Sequence, residues 1–504
     1  MTAPGGTATT HDEPLTAAVR ALVAEAAQRA LDDRSRTQLT ESGARLSQPL
    51  RLAIAGRVKA GKSTLLNALV GEELAPTDAG ECTKVVTWYV GGDVPQVTAH
   101  GRDGSVRVRP YSRTGGALDV DLGVPAAEVD HLEVQWPSSR LRDVTLIDTP
   151  GIASLSTEVS DRAGVVLSDD DERPSVADAV LYLLRHAHGS DLRFLEAFAD
   201  DDLARGTPVN AVGVLSRADE IGACRMDALD VAARVAARYE SDPRVRRLCP
   251  LVIPVAGLLG QSGTTLREEE YRGLARLAEL PPDVTERLLL TADRFVVDDT
   301  AVPVTAIERE HLVDRLGLFG VRLGVELVRD GEAASATDLA HQLTRLSGLD
   351  DVRDVLLRQF TERSRLLRAR SALAAVRAVV RRGGCADPQY LEAAAEEVSA
   401  SAHEFVEVRL LNQLRSGTPA VPDDLVTPMD RLLGGSGHDV AVRLGEPPGT
   451  PPERLREAAM EQLAAWHQVA ESPLSSRSVQ LAARGVIRTL EGLLVRLAQE
   501  SPGG

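Results

Sequence analysis

Residues 50–71 read LRLAIAGRVKAGKSTLLNALVG, and three consecutive structural elements can be recognised in them. The short apolar run at 50–56 ends in glycine and predicts a buried strand. Residues 63–71 predict a helix, and the GRVKAGKS that joins the two matches the pattern G-x-x-x-x-G-K-[ST]. Because strand, loop and helix occur in the order that this pattern requires, the stretch predicts a phosphate-binding loop rather than a chance glycine-rich turn.

The residues of this loop have separable roles in holding phosphates. Gly56 and Gly61 let the backbone wrap closely around them, so that successive N–H groups and the helix N-terminus face the anion. Lys62 is expected to reach the β- and γ-phosphates of a nucleotide, and Ser63 to bind Mg²⁺. The nucleotide-binding residues predicted in the loop are Gly56, Arg57, Val58, Lys59, Ala60, Gly61, Lys62, Ser63 and Thr64.

Lysine occurs only at positions 59, 62 and 84, although Lys and Arg together number 57. A compact ammonium fits a tight phosphate cradle better than a planar guanidinium, which accounts for Lys62. Lys59 has two interpretations. As a catalytic residue it supplies positive charge between the β- and γ-phosphates while their bond breaks. Alternatively, it is a solvent-facing lysine that attracts anions.

Two downstream motifs supply candidates around the metal and the γ-phosphate. DTPG follows the strand pattern VTLI, a spacing behind a phosphate-binding loop that is typical of GTPases. Asp148 is predicted to hold Mg²⁺ through a bound water, and Gly151 to offer its N–H to the γ-phosphate. In ECTKVVT, Thr83 is the preferred candidate for a Mg²⁺ ligand, ahead of Thr87, which falls within the next strand pattern.

A third motif is a candidate for reading the base. In SRAD, Asp219 can accept hydrogen bonds from guanine N1–H and N2–H₂, which adenine cannot donate. Ser216 and Arg217 stand where GTPases usually carry Asn or Thr and then Lys. In VAG, after the next strand pattern, Ala256 and Gly257 are predicted to offer a backbone N–H to the base oxygen. The alternative for SRAD is an ordinary helix cap, which we consider weaker because it follows the other two motifs in series.

The composition limits the class of protein. The 504 residues allow two or three domains, and 43% hydrophobic with 26% charged residues is typical of soluble globular proteins. A net charge of -17 and 3% aromatic residues argue against nucleic-acid binding. The four cysteines form no CxxC pair, which disfavours a zinc site or a disulfide framework. No segment reaches the roughly 18 apolar residues that span a bilayer, and the N-terminus lacks the apolar core of a signal peptide.

Strand patterns alternate with helix patterns from residue 50 to about 262, and helix patterns alone follow. This order predicts an α/β P-loop GTPase domain with a mainly parallel sheet and helices on both faces. The N- and C-terminal segments are predicted to form one α-helical bundle, a neck or trunk. The predicted parts are 1–13 as a disordered tail, 14–49 as N-terminal helices of the bundle, 50–345 as the GTPase domain with a helical insertion at about 262–312, and 346–500 as the C-terminal bundle.

Several helices and one loop are predicted in the second half. Residues 315–331 and 388–416 each predict one helix, and 349–382, without glycine or proline, predicts one long helix. The nine arginines of 349–382 lie either on a solvated face paired with acids, which we favour, or on anionic lipid. The Pro/Gly-rich stretch 416–437 carries apolar residues that either cap the bundle's own core, again favoured, or dip into lipid.

Taken together, GKSTLLNALVG, APTDAGECTKVVTWY, DTPGIASL and LSRADEIGA resemble bacterial dynamin-like GTPases, in particular the isoniazid-inducible (Ini) family of actinobacteria. The resemblance extends to LLGGSG and covers most of the chain. It implies a GTPase head on a helical trunk, head-to-head dimerisation with a second copy or a paralogue, and membrane remodelling. It makes Thr83 the switch threonine, so that Lys59, Lys62 and Thr83 are the catalytic candidates. Eukaryotic dynamins carry Gln-Ser where this chain has Val58 and Lys59.

We therefore expect a dynamin-like enzyme that hydrolyses GTP with Mg²⁺, binds GTP and GDP, and makes peripheral membrane contact without binding nucleic acid. The expected location is the cytoplasm and the inner face of the cell membrane. Two alternatives remain, a soluble Era-like regulatory or assembly GTPase and a nucleotide-gated scaffold with little hydrolysis. The acidic composition weighs against the first, and Ser216 and Arg217 keep the second open.

Overall fold

The computed structural model describes residues 14–76, 85–114, 117–149, 177–185, 211–246, 249, 251–297, 302–356, 360, 363–415, 421–435 and 437–499. The predicted tail at 1–13 and two residues of the predicted site, Thr83 and Gly151, lie outside these ranges.

The described strands are β1 (Leu50–Gly56), β2 (Val86–Gly91), β3 (Gln96–Gly101), β4 (Val106–Arg109), β5 (Tyr111–Thr114), β6 (Ala117–Val120), β7 (Val129–Trp136), β8 (Val144–Asp148), β9 (Ala179–Leu184), β10 (Ala211–Ser216) and β11 (Val252–Val255). Nine of these form a sheet in the order β11-β10-β9-β1-β8-β2-β7-β3-β4. The sheet is mainly parallel, as predicted, and β3 and β4 form an antiparallel hairpin. The separate β5–β6 pair was not predicted, because four-residue strands are too short for their alternation to stand out.

Strand β1 lies inside the sheet, parallel to β8 on one side and to β9 on the other. Leu52, Ala53 and Ile54 are fully buried, since both faces of the sheet are covered, and this explains the unbroken apolar run in the sequence. Because β9 is also parallel to β10, the carboxyl ends of β1, β8, β9 and β10 meet at one edge of the sheet. Residues that follow these strands are therefore brought together.

The described α-helices are α1 (Pro14–Gln28), α2 (Asp33–Arg45), α3 (Lys62–Val70), α4 (Ala228–Ser241), α5 (Pro243–Arg246), α6 (Gly257–Thr265), α7 (Glu268–Ala278), α8 (Pro282–Leu288), α9 (Ala292–Val297), α10 (Ala306–Arg329), α11 (Ala336–Leu346), α12 (Leu349–Val355), α13 (Ser364–Arg381), α14 (Pro388–Ser401), α15 (His403–Arg415), α16 (Asp423–Leu432), α17 (Val440–Leu444), α18 (Pro452–Glu471) and α19 (Arg477–Gln499). Helices cover both faces of the sheet. On one face Leu65 and Leu349 pack with Ile54, and on the other Leu259 and Phe319 join a cluster that contains Ala53.

The N- and C-terminal segments form one bundle, as predicted. Val19 of α1 and Leu39 of α2 share a buried cluster with Leu373 and Val376 of α13. A second cluster, formed by α15 to α19, continues the helical part and includes Leu411, Met429, Trp466, Val486 and Leu490.

A buried carboxylate joins this bundle to the sheet. Asp178, just before β9, accepts hydrogen bonds from Arg45 of α2 and from the N–H of Arg51 in β1, both at 2.9 Å. The hydroxyl of Ser371 in α13 also donates to it, at 2.8 Å. A buried charge needs such partners. They attach the bundle at the amino ends of β1 and β9, opposite the edge where the predicted site residues gather.

The helix predicted at 349–382 is irregular rather than continuous, since α12 ends at Val355, Leu356 and Phe360 are π-helical, and α13 begins at Ser364. The two helices pack mainly in different cores, although Leu367 of α13 still joins the cluster of the sheet. Leu349 and Val352 pack with the sheet, whereas Leu373 lies in the bundle. Arg363, at the start of α13, is buried and donates to His438 Nε2 at 2.7 Å and to the carbonyl of Gly434. Periodicity within a segment cannot reveal such a change of partner.

Two other predicted helices are also interrupted. The helix predicted at 388–416 divides at Ala402, whose ψ of 110° is extended. Helix α10 contains residues 315–329 of the predicted 315–331 helix but is broken at Gly317, with φ 69° and ψ 168°. Both breaks occur where the chain must pack on more than one neighbour.

The favoured interpretation of the Pro/Gly-rich stretch agrees with its described residues, whereas the arginines of 349–382 do not share one solvated face, since Arg363 is buried. Arg377 is buried and paired with Glu396 at 3.2 Å. Met429, Leu432 and Leu433 are buried in the second helical cluster. No helix in the described ranges combines the length and apolarity needed to cross a bilayer.

Gly348 separates α11 from α12 at φ 75°, and a Cβ there would overlap the carbonyl oxygen of Pro254. We expect Gly348→Ala to destabilise the sheet domain by about 2 kcal/mol or more, because backbone cannot move aside as a flexible side chain can. Gly383 is the matched control, since it has φ 76° but nothing within 4 Å of its Cβ position. Gly383→Ala should cost only about 1 kcal/mol. Equal shifts of the thermal midpoint in the two variants would contradict this account.

Candidate nucleotide-binding site

The phosphate-binding loop connects β1 to α3, and its two glycines are required for different reasons. Gly56 has φ 149°, and a Cβ there would lie 2.9 Å from the carbonyl oxygen of Leu183 in β9. Gly61 has φ 91° and caps the N-terminus of α3, with open space where its Cβ would be. The first glycine thus permits close strand packing, whereas the second leaves room for a ligand at a helix N-terminus.

The ammonium of Lys62 lies inside the curve of this loop. Its Nζ donates to the carbonyl oxygens of Gly56 and Arg57, both at 3.2 Å. Burial lowers the pKa of Lys62, and the carboxylate of Asp148 opposes that shift. A phosphate at the same position would supply the negative charge that the two carbonyls provide only in part.

Lys59 has a different environment, because it lies on the outside of the loop and is exposed to solvent. It adopts φ 61°, a left-handed conformation that is uncommon for a residue with a side chain and that concentrates at functional sites. In the described part of the chain its ammonium makes no hydrogen bond or ion pair. Val58 beside it is 50% exposed, so this segment presents an apolar and a positively charged side chain outward.

Ser63 and Asp148 face each other across the carboxyl ends of β1 and β8. The Ser63 hydroxyl donates to Asp148 Oδ2 at 3.4 Å, and Asp148 Oδ1 is buried without a hydrogen-bond partner among the described residues. Burial raises the pKa of Asp148 to about 6, against the opposing effects of Lys62 and Ser63. A hydroxyl beside an unsatisfied carboxylate oxygen fits an Mg²⁺ ion that is completed by phosphate and water.

Two neighbouring threonines are held by the backbone. Thr149 is buried and donates its hydroxyl to Ile54 O at 2.9 Å, which fixes the turn after β8. Thr87, the second choice for the metal, lies within β2 as expected and pairs in register with Asp148. It is 7% exposed, and its hydroxyl is directed to Val85 O at 3.4 Å.

The predicted base-reading residues follow β10. Asp219 is 7% exposed in a short 3₁₀ turn, and burial raises its pKa to about 6. Arg217 has φ 57° and pairs with Glu220 at 3.0 Å, so its guanidinium is held beside the turn. Ser216 is buried at the end of the strand and donates to Leu184 O at 3.3 Å.

The two residues predicted to offer a backbone N–H to the base differ in whether that N–H is already hydrogen-bonded. The Ala256 N–H donates to Ser347 O at 2.9 Å and is therefore engaged, contrary to its predicted role. Gly257 begins α6, where the first N–H groups of a helix have no intrahelical acceptor. A Cβ on Gly257 would lie 3.6 Å from the methyl of Thr64, so this helix start adjoins the phosphate loop. Of the pair, Gly257 remains the candidate.

The profile of the dynamin family matches residues 52–188, which include the phosphate loop and Asp148. The whole chain is similar to the isoniazid-induced protein IniC of Mycobacterium tuberculosis, with 39% identity over 464 residues, 92% of this chain and 93% of the relative. The chain belongs to the IniC family of dynamin-like proteins.

Other relatives of this IniC-family chain match shorter parts. Isoniazid-induced protein IniA of Mycobacterium tuberculosis is 31% identical over 165 residues, 30% of this chain and 26% of IniA. A bacterial dynamin-like protein of Nostoc punctiforme is 33% identical over 114 residues, 20% of this chain and 16% of its own. A structure described as an oligomerised bacterial dynamin pair aligns with 96% of this chain and 90% of that chain, at 12% identity and a TM-score of 0.35.

Several residues that shape the site had no signal in the IniC-family sequence. Leu183 gives Gly56 its close neighbour, and Gly317 lies between Leu258 and Asp219 as their shared neighbour. Their importance depends on contacts between distant segments, which no local pattern records. The only available sign was glycine inside the helix pattern RLGLFG, which indicates a break as readily as a weakened helix.

The raised pKa of Asp148 predicts a pH-dependent stability cost in the nucleotide-free protein. Its pKa is about 6 when folded and about 3.9 when unfolded, so ionisation opposes folding above pH 6 and has no effect below about pH 4. We expect Asp148→Asn to raise the free energy of unfolding by roughly 2 kcal/mol at pH 7.5 and to have little effect at pH 4.

Thermal unfolding at both pH values checks this expectation. The matched control is Asp178→Asn, since Asp178 is also a buried carboxylate but is fully partnered, and its replacement should destabilise by about 3 kcal/mol. A loss of stability in Asp148→Asn at pH 7.5 would show that the carboxylate is stabilised in the folded protein.

Proposed function

We propose that this chain binds GTP with Mg²⁺ and hydrolyses it, and that nucleotide-dependent pairing of its heads remodels or maintains a membrane. The observation that carries the proposal is the convergence of Lys62, Ser63 and the unpartnered Asp148 Oδ1 at one edge of the sheet. A cation, a hydroxyl and a carboxylate in this arrangement suit a metal-bound triphosphate.

The preference for guanine is supported by the buried carboxylate of Asp219 after β10. As a carboxylate it only accepts hydrogen bonds, so it matches the two donors of guanine and repels the acceptor at adenine N1. The approach of Gly257 to Thr64 supports a base side of the site that adjoins the phosphate side. Mg²⁺ would be held by Ser63 and, through water, by Asp148, with Thr83 as the proposed ligand from the segment that precedes β2.

The membrane and pairing parts rest on the family. IniC and the relative named a bacterial dynamin-like protein are similar to this chain over 92% and 20% of its length, and we propose that this chain pairs with a second copy or a paralogue through its head. The exposed Val58 and Lys59 on the outer side of the phosphate loop suit such a contact. The proposed location is the cytoplasm and the inner face of the cell membrane.

The first test is steady-state turnover of GTP and ATP at increasing protein concentration, with and without anionic liposomes. We expect GTP-selective activity that rises with concentration, because pairing completes the site. Lys59→Ala should lower it by about a hundredfold if its ammonium stabilises charge developing between the phosphates. The matched control is Arg57→Ala, which removes a neighbouring exposed side-chain charge but keeps the backbone N–H through which Arg57 is predicted to bind, and it should have only a slight effect.

Each other outcome of this test selects a different function. Nucleotide binding without turnover in any condition would favour a nucleotide-gated scaffold. Turnover that is unaffected by concentration and liposomes would favour a soluble regulatory GTPase. Equal losses of GTP turnover in Lys59→Ala and Arg57→Ala would indicate that Lys59 only attracts anions to the site.

A second test changes the base preference of the site from guanine towards xanthine. Asp219→Asn should weaken GTP binding by about a hundredfold, because one of the two guanine donors would face the amide N–H₂. The same amide can donate to O2 of xanthine, so affinity for xanthosine triphosphate should rise. Glu220→Gln is the control, since Glu220 pairs with Arg185 and Arg217 at the surface. Unchanged GTP affinity in Asp219→Asn would remove Asp219 from base recognition.

A further inference from the structure

Helix α10 is broken beside the proposed guanine-reading residue. Gly317 has φ 69° and ψ 168°, a combination that is essentially confined to glycine. A Cβ at this position would lie 3.2 Å from Leu258 Cδ2 and 3.9 Å from Asp219 Oδ2. The backbone of the break therefore lies close to the carboxylate of Asp219, since a methyl group at Gly317 would be in van der Waals contact with Oδ2.

The segment before the break is anchored by a buried ion-pair cluster. Arg315 donates to Glu270 at 2.8 Å and to the Thr265 hydroxyl at 2.7 Å, and it is also paired with Glu73. Its carbonyl oxygen accepts the hydroxyl of Ser262. Arg315 is 12% and Glu270 1% exposed, so water screens these contacts little and the cluster holds residues just before Gly317 in one place.

The segment after the break is anchored to the loop that follows Asp219. Arg322 donates to Cys224 O at 2.5 Å and to Leu289 O at 3.1 Å. Gly222, Ala223 and Cys224 have φ 71°, 62° and 57°, so this loop is a left-handed turn that includes two residues with side chains. Such a turn persists only when its surroundings enforce it, and Arg322 provides one of these constraints.

Both halves of α10 also contribute to the same core. Leu312 and Leu316 before the break and Phe319 and Val321 after it are buried in one cluster with Leu259. A straight helix could not keep both sets in place while its backbone approached Asp219. The break therefore lies between two fixed segments of α10, each of which has one polar anchor and one buried face.

We propose that the Gly317 break is a wall of the guanine pocket and that Gly317 positions Asp219 for base discrimination. This inference rests on the proposed binding of guanine nucleotides. Gly317 acts through its backbone and through contact with Leu258, so it is a positioning residue rather than a catalytic one. Alanine at 317 would have to leave the glycine-only conformation, and the wall would shift away from the carboxylate.

The test compares GDP and IDP binding to the full chain with Mg²⁺ by calorimetry. Inosine lacks the 2-amino group of guanosine, so the ratio of the two affinities reports how well Asp219 meets that group. In Gly317→Ala we expect GDP affinity to fall by about tenfold or more, with a smaller change for IDP, so that the ratio moves towards one.

Gly331→Ala is the matched control. Gly331 follows the same helix at φ 75° with nothing within 4 Å of its Cβ position, so alanine there introduces strain from a positive φ at a site away from Asp219. It should keep the wild-type ratio. If Gly317→Ala fails to fold, Leu258→Ala takes its place, because it removes the side chain against the break without backbone strain and should lower the ratio severalfold.

The outcomes separate this inference from the function on which it rests. A wild type that binds neither GDP nor ADP, or binds GDP and IDP equally, would overturn the proposed guanine recognition and this inference with it. A wild type that discriminates, with Gly317→Ala or its substitute Leu258→Ala retaining the full ratio, would overturn the inference alone. A reduced ratio in Gly317→Ala with an unchanged ratio in Gly331→Ala supports it.

Discussion

The close packing of β1 between β8 and β9 is the constraint on which the rest of the site depends. Gly56 lies against the carbonyl of Leu183, and this contact sets where β1 ends and the phosphate loop begins. The parallel register then places Asp148, at the end of β8, beside the loop. On the other side of β1, two strands away, it places Asp219 after β10 at the same edge of the sheet. A side chain at position 56 would separate β1 from β9 and move the loop relative to both carboxylates.

The charged side chains of the candidate site are buried at an electrostatic cost. Lys62, Asp148 and Asp219 are all largely withdrawn from water. Burial lowers the pKa of Lys62 and raises the pKa of Asp148 and of Asp219, which favours the neutral form of each side chain. The fold around them has little freedom to relax, because each lies at or just after the end of a strand whose interior is buried. A metal-bound nucleotide would supply the missing countercharge, so the same groups that weaken the empty site would favour the occupied one.

The parts of the fold that depend on local order could be predicted from the sequence. Strand, phosphate loop and helix are contiguous, so the placement of Lys62 and Ser63 followed from residues 50–71 alone. Ala256 was misjudged because its N–H is taken by Ser347, about 90 residues away, and no pattern near Ala256 records that contact. The division of 349–382 and the break at Gly317 were missed for the same physical reason, since each depends on which distant core the segment meets.

Asp178 has a mechanical consequence. Its carboxylate ties α2 and α13 to the backbone of β1 at Arg51, at the end of the strand opposite the phosphate loop. A force applied through the bundle would therefore enter the sheet at the amino ends of β1 and β9 and run along the strands. Loaded in this direction, neighbouring strands resist in shear, with their hydrogen bonds sharing the load rather than opening one after another. A load applied through the bundle would thus enter the sheet at the end of β1 that is opposite the phosphate loop, and it would not separate the strands at that loop.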